Sequence, residues 1–421
     1  MREVVVIGGG AAGLAAATFL GRAGDHVTLL ERARRLGGRA ASDQEAHCLL
    51  NQGPHALYRG GHAMRVLREL GVSWNGTVPD TKAFFVERDG QRHPMPSGAM
   101  SLLGTSALGL GGKVELARSL FSLNASKASD YDSISVRDWL ATIDDARARD
   151  LLGALARVST YCADQAEMSA GATMAQIALA TKNGVEYVDG GWQTLVDGLA
   201  EAARLANVTV ATGMTVNTIE RRGDRHEVLA DGRRWSADLI VMAVGPQTCR
   251  SLAPWSAAIA DAARTAIPVR AACLDVVLDA LPNPSHLFTL GLDRPHYLSV
   301  HGAFARLGPE GSFVVHAAKY LATNEPHDHV RDELQALLER VQPGWTKHAI
   351  YTRYLPQMTV YSAMPLATRG GLRGRTPVVV ADAPGLFVAG DWVGDEGMLL
   401  DAALASASRV LELSQRERRV A

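Results

Sequence analysis

Six residues near the start constrain this chain more than any others. Gly8-Gly9-Gly10-Ala11-Ala12-Gly13 follows the apolar run Val4-Val5-Val6-Ile7 directly and opens an alanine-rich stretch over residues 11–23. The run at 4–7 predicts a buried strand, the stretch at 11–23 a helix, and Val27-Thr28-Leu29-Leu30 a second strand. Strand, turn, helix and strand make a βαβ unit, which implies a parallel sheet. Within the turn, Gly8 permits the tight bend, Gly10 lets a pyrophosphate approach the backbone, and Gly13 lets the helix lie close on the strand. Ala12 falls in the first helical turn, where free N–H groups and the helix dipole favour an anion. Glu31 closes the second strand and offers a carboxylate to both ribose hydroxyls of an adenosine half. The spacing predicts dinucleotide binding but does not by itself separate NAD from FAD.

At 421 residues the chain exceeds the length at which one core usually stops growing, so two domains are expected. Hydrophobic residues at 47% and charged residues at 21% fit a soluble globular protein. Net charge is −1, with Lys and Arg spread along the chain, so nothing marks a nucleic-acid partner and small molecules are the expected ones. Cys48, Cys162, Cys249 and Cys273 are far apart and form no C-x-x-C pair, which argues against a redox dithiol, a zinc knuckle or a disulfide framework. A reducing, cytoplasmic setting fits. The run at 4–7 is too short for a signal peptide or membrane span, and no other stretch reaches about 18 uninterrupted apolar residues.

From about residue 97 to 205 the pattern turns helical, most clearly at 136–140, 146–158 and 195–205. Strand-like runs return at 208–210, 216–219 and 239–242, and β-rich segments follow at 273–278, 296–300, 312–316 and 349–354, interrupted by a helix at 330–341. A last strand at 386–389 leads through Gly390 into a loop and a final helix from about Leu399. There is no internal repeat, and the arginine-rich tail at 416–419 reads as a frayed terminus.

Beyond Glu31 comes Arg32-Ala33-Arg34-Arg35-Leu36-Gly37-Gly38-Arg39, a glycine pair with a basic residue suited to wrapping a diphosphate. The stretch from Gly8 through Glu31 to Gly38 and Arg39 resembles the N-terminal signature of the FAD-containing amine oxidase superfamily, which includes phytoene desaturases and protoporphyrinogen oxidases. Asn51-Gln52-Gly53-Pro54-His55 resembles the D-x-G-x-H stretch of the desaturase branch, with Asn51 in place of the common Asp. Gly190-Gly191 resembles the family's glycine pair ahead of a helix, and Val216 matches the position whose backbone meets the adenine. Near the other end, Leu386-Phe387-Val388-Ala389-Gly390-Asp391 resembles the strand whose acidic residue binds the ribityl and pyrophosphate region. Met398 and Leu399 then open a helix whose N-terminus, in the family, stabilises negative charge on the reduced pyrimidine ring.

The resemblance implies FAD as cofactor and a Rossmann-like α/β fold. The FAD-binding domain is expected to be discontinuous, from residues 1–78, 190–262 and 370–421. A second, α+β substrate domain is expected from residues 79–189 and 263–369, holding helices and a mixed or antiparallel sheet. Its implied function is dehydrogenation, by hydride transfer to flavin N5, of a largely hydrophobic or amine-bearing small molecule. Two alternatives stay open: a flavin-dependent isomerase without net redox change, and a flavin-free binding protein like the GDP-dissociation inhibitors.

No second glycine fingerprint is placed for a pyridine nucleotide, so oxygen or a quinone is the expected electron acceptor. Candidates for the reacting end are His55, Trp392 and Lys319, with Tyr354 and Tyr361 as further aromatics flanking a substrate path. His55 and Lys319 also read as a structural hydrogen-bonding residue and an exposed strand end. No metal site is expected, and His327-Asp328-His329 reads as a polar turn before a helix. The apolar, glycine-broken segment at 95–110 suits a tunnel for a lipophilic substrate, a peripheral membrane contact, or ordinary packing.

Overall fold

The computed structural model of the chain describes residues 1–125, 127–223 and 225–420, and the side chains of all of these but residues 99, 124, 125 and 418–420. Five strands form a parallel sheet in the order Thr209–Thr212, His26–Glu31, Glu3–Ile7, Leu239–Met242, Leu386–Val388. The run at 4–7 lies at its centre and is buried throughout, so both faces of the strand are apolar and the sequence shows no alternation. The glycine-loop helix, Ala11–Arg22, is rich in alanine and almost wholly buried. It packs between the helix Gln193–Leu205 and the closing helix Leu399–Val420, where small side chains allow close approach. Successive strands are added first on one side of Glu3–Ile7 and then on the other. That reversal opens a crevice at the carboxyl ends of the strands, the usual place for a ligand in an open α/β sheet.

A second sheet has seven strands in the order Ala349–Tyr361, Val269–Leu278, Phe313–Leu321, His296–Val300, Phe288–Gly291, Phe84–Arg88, Gln91–Pro94. It is mixed, since Phe288–Gly291 pairs parallel with Phe84–Arg88 and the other neighbours are antiparallel. Side chains alternate between its faces, as the strand period of two requires. Leu274, Val276, Leu298, Val315 and Ala317 meet the helix Val330–Val341 on one face. Cys273, Tyr297, Ala318 and Tyr320 meet the helices Ala146–Thr160 and Ala170–Asn183 on the other.

The expected strands and helices are present with shifted ends: 208–210 becomes Thr209–Thr212, 273–278 becomes Val269–Leu278, and 386–389 becomes Leu386–Val388. The arginine-rich tail, expected to fray, continues the closing helix to residue 420; the side chains of Arg418 and Arg419 lie outside the described residues. All four cysteines are free and buried.

Candidate functional site

A cavity of about 740 Å³ extends from the crevice of the parallel sheet to the strand Ala349–Tyr361 of the second sheet. Gly8, Gly10, Ala12, Glu31, Arg32, Gly38, Arg39, Val216, Gly390, Asp391 and Leu399 all line it. Two of the expected cofactor residues do not. A Cβ on Gly13 would lie 1.9 Å from the carbonyl oxygen of Gly8, so this glycine serves the contact of helix with strand behind the cavity. Met398 is turned into the second core.

At the outer end, Gly10 caps the helix with an extended backbone, offers no side chain to its N–H groups, and is followed by no acid in the first turn. The positive end of the helix is thus left for an anion. A Cβ on Gly10 would meet only the Gly37 oxygen, at 3.9 Å, so its free side opens on the cavity. The Gly37 N–H donates to the Gly9 oxygen at 2.8 Å and ties the two glycine loops together. Glu31 accepts from the Gly9 N–H at 2.6 Å and from the Ala33 N–H at 2.8 Å, which fixes its carboxylate at the strand end. Open loop, free helix end, carboxylate and cavity size fit FAD, whose diphosphate would rest on Gly8–Gly10 and whose ribose would meet Glu31.

Farther in, motifs from both ends of the chain meet. Arg39 pairs with the buried Asp391 at 2.6 Å and donates to the Val360 oxygen at 3.1 Å, while Asp391 accepts from the Ser362 N–H at 3.3 Å. Trp392 is buried, lines the cavity, and donates from Nε1 to the Val244 oxygen at 3.1 Å.

His55 lines the cavity but is fastened: its Nδ1 lies 2.9 Å from the Gly53 oxygen and its ring packs edge-on against Trp192, with centroids 4.4 Å apart. Burial pushes its pKa down to about 4, so at neutral pH the ring is uncharged. Lys319 is a correction. Odd-numbered positions of Phe313–Leu321 face the helix Val330–Val341, and there Lys319 pairs with Glu325 and Glu333, each at 2.9 Å, away from the cavity. Tyr354 faces the same way, beneath the Arg331 guanidinium, and Tyr361 is buried in the second core; neither lines the cavity. Nor do residues 95–98 and 100–110: Met95 and Leu102 pack on the second core, whereas Met100, Leu103 and Leu110 face outward. His327 meets Gln357 at 3.0 Å, just ahead of the helix.

Several lining residues escaped the sequence reading. Tyr58, Tyr161, Trp192 and Met358 are brought to the inner end by tertiary packing. Asp401 had a visible signal, an acid in the first turn of an apolar helix. It is buried against the cavity and accepts from the Ala63 N–H at 2.6 Å, at the start of the helix His62–Glu69. Burial raises its pKa to about 6, partly offset by that hydrogen bond. The unfolded chain releases this proton near pH ~4. As pH rises from about 4 through 6, the unfolded state ionises first and the native state loses up to ~3 kcal/mol of relative stability. Asp401→Asn keeps an acceptor for Ala63 and is expected to be more stable than the parent near pH ~8, with the gain vanishing near pH ~4. Urea unfolding of the apoprotein at both pH values measures this, and an equal effect at both would refute it.

A match to the family described as flavin containing amine oxidoreductase extends over residues 11–410. AofH of Mycobacterium tuberculosis, which carries the name of a flavin-containing monoamine oxidase, is 29% identical over 270 residues, 58% of this chain and 57% of that protein. The chain therefore spans little more than half the length of that relative. A carotenoid phi-ring synthase of Streptomyces griseus is 29% identical over 437 residues, 93% of this chain and 83% of that protein. Putrescine oxidase with bound putrescine superposes with a TM-score of 0.77 at 20% identity, covering 99% of both chains, a likeness of fold.

Proposed function

The chain belongs to the flavin-containing amine oxidoreductase family and takes FAD as its cofactor; on that premise we propose that it dehydrogenates a largely hydrophobic or amine-bearing small molecule. The observation that carries this reading is the inner wall of the cavity, where Leu57, Tyr58, Tyr161, Trp192, Met358 and Val360 present aromatic and aliphatic surface. Such a wall binds apolar substrate and keeps water out. Burial pushes the Tyr58 hydroxyl up to about 12 and the Tyr161 hydroxyl well above its ordinary value, so both remain neutral donors. When bound, FAD supplies the two-electron acceptor, and the chain supplies position. Among the relatives, one name points to amines and the other to a carotenoid, and the wall suits both.

The protein is expected to purify yellow, to release FAD on denaturation, and to lose its visible absorption anaerobically when a true substrate is added. Polyenes, cyclic amines, tetrapyrroles and amino acids form the test panel, with product mass lower by two hydrogens. Bleaching by a free polar amino acid alone would overturn the apolar reading, and unchanged product mass would favour an isomerase. A protein that stays colourless with added FAD would favour the flavin-free alternative.

A further inference from the structure

One short stretch on the cavity wall, Asn51 to His55, is held at four carbonyl groups, two of them from behind the wall. Arg353 Nη2 donates to the Asn51 oxygen, the Tyr161 hydroxyl donates to the Pro54 oxygen at 3.2 Å, and His301 Nε2 lies 3.2 Å from the His55 oxygen. The fourth, on Gly53, is met by the His55 ring itself. The Asn51 side chain is also fixed, its Oδ1 accepting from the Trp192 N–H at 2.9 Å and the Ser42 hydroxyl at 2.7 Å. Gly53 has a φ of +79°, in the left-handed region that favours glycine, and lies against the end of the Met358 side chain.

Behind it, cross-strand register sets Arg353, Asp275 and His316 side by side on three neighbouring strands of the second sheet. Asp275 is wholly buried. Its Oδ1 meets His316 Nδ1 at 2.6 Å and Cys273 Sγ at 2.9 Å, and its Oδ2 meets Arg353 Nε at 2.9 Å and Nη2 at 2.5 Å. These four donors use the four lone-pair sites of a carboxylate. Although Cys273, Asp275 and His316 lie close enough together to suggest a metal site, the arrangement is already saturated and carries the Arg353 cation. His301 packs edge-on against His316, with ring centroids 4.7 Å apart, so that a ring contact, not a hydrogen bond, joins the Asp275 cluster to the His301 ring that meets the His55 carbonyl. None of Asp275, His316, His301 and Arg353 lines the cavity.

We propose that Asp275 is a positioning residue, acting through Arg353 on one side and His316 and His301 on the other to fix residues 51–55 as a rigid wall for the flavin. The inference rests on the reading that FAD occupies the cavity with its flavin ring beside residues 51–55, the rest of the inner wall being left to the substrate. A slackened wall lets the flavin ring withdraw from the helix N-terminus at Leu399 to Asp401. The N–H groups there favour the negative charge of the reduced state, the Asp401 carboxylate of the same turn being turned to the Ala63 N–H, so their loss lowers the flavin potential. The adenosine end, held by Gly8–Gly10 and Glu31, is untouched.

The test compares wild type, Asp275→Asn and His301→Phe, each loaded with FAD. Dithionite titration against a reference dye gives the two-electron midpoint potential, and flavin fluorescence gives the FAD Kd. In both variants the potential is expected to fall by about 30 mV or more, a tenfold change in the redox equilibrium, while the Kd for oxidised FAD changes less than about threefold. His301→Phe keeps a ring and removes only the donor, so it decides the matter if Asp275→Asn does not fold. Unchanged potentials, or a loss of FAD binding with no change in potential in the loaded protein, overturn the proposal. Wild type that takes up no FAD defeats the functional reading instead.

Discussion

Replacing Gly13 by alanine is expected to abolish FAD binding at micromolar cofactor. The new Cβ would lie 1.9 Å from the Gly8 oxygen and 3.2 Å from the Ala243 methyl, both parts of the frame that carries the glycine loop. Backbone cannot yield as a side-chain tip can, so the helix must lift from the strand and take its N–H groups out of line with the diphosphate. A rise in Kd of at least about 100-fold, ~2.7 kcal/mol, is expected, together with a loss of stability of about 1–3 kcal/mol from overpacking. Gly10→Ala is the informative partner, because its Cβ points into open space. It should leave urea stability nearly unchanged and still weaken FAD. Urea unfolding and calorimetric titration of both variants decide: equal stability in the two would show that Gly13 has no packing role, and unimpaired FAD binding by Gly13→Ala would refute the assignment of the loop.

Removing the Asp275 carboxylate altogether should have the larger effect on stability. Asp275→Ala takes from Arg353, with 12% of its side chain exposed, its buried counter-charge, leaves it only the partly exposed Asp43 at 2.6 Å, and opens a hole beside His316. The expected loss is about 3–5 kcal/mol, a large part of the stability of an ordinary domain. Burial opposes ionisation of Asp275, but His316 and Arg353 outweigh it and hold the pKa below the usual carboxylate range. Its stabilising share is therefore complete above about pH 4, the unfolded value, and is lost as pH falls through the lower folded value. Pairing Asp275→Ala with Arg353→Met should recover part of the loss, since the incompletely compensated cation goes with it and Asp43 keeps its pair with Arg35. Urea unfolding at neutral pH measures both, and a loss below about 1 kcal/mol for the single variant would remove Asp275 from the framework.

The outer end of the cavity was legible because its chemistry is local. Gly8 to Gly13 and Glu31 belong to one βαβ unit, and the needs of a diphosphate are met by backbone within that unit. The fold followed from the same unit together with the apolar runs at 239–242 and 386–389. The strands Arg225–Ala230 and Arg233–Ala237 were not foreseen, for they are short and interrupt their apolar residues with charged ones. Lys319 was misplaced because a strand's period of two fixes which residues share a face but leaves open which face meets the cavity. Asp275 was invisible for a different reason. Its partners at 316 and 353 become neighbours only through strand register, and nothing in the local sequence distinguishes a buried aspartate from an exposed one.

The parallel sheet also sets an order in time. Its central strand is made first, yet the neighbours that complete the cavity side, Leu239–Met242 and Leu386–Val388, are made much later. The carboxylate of Asp401 and the N–H of Ala63 that it caps are 338 residues apart in the chain. At ~5–20 residues per second, a ribosome needs some tens of seconds between the two. Throughout that interval the nascent chain holds a finished glycine loop and no pocket to go with it. Cofactor capture thus waits until the segment around Asp401 has been made, and until then the apolar central strand must be sheltered by something other than its own fold.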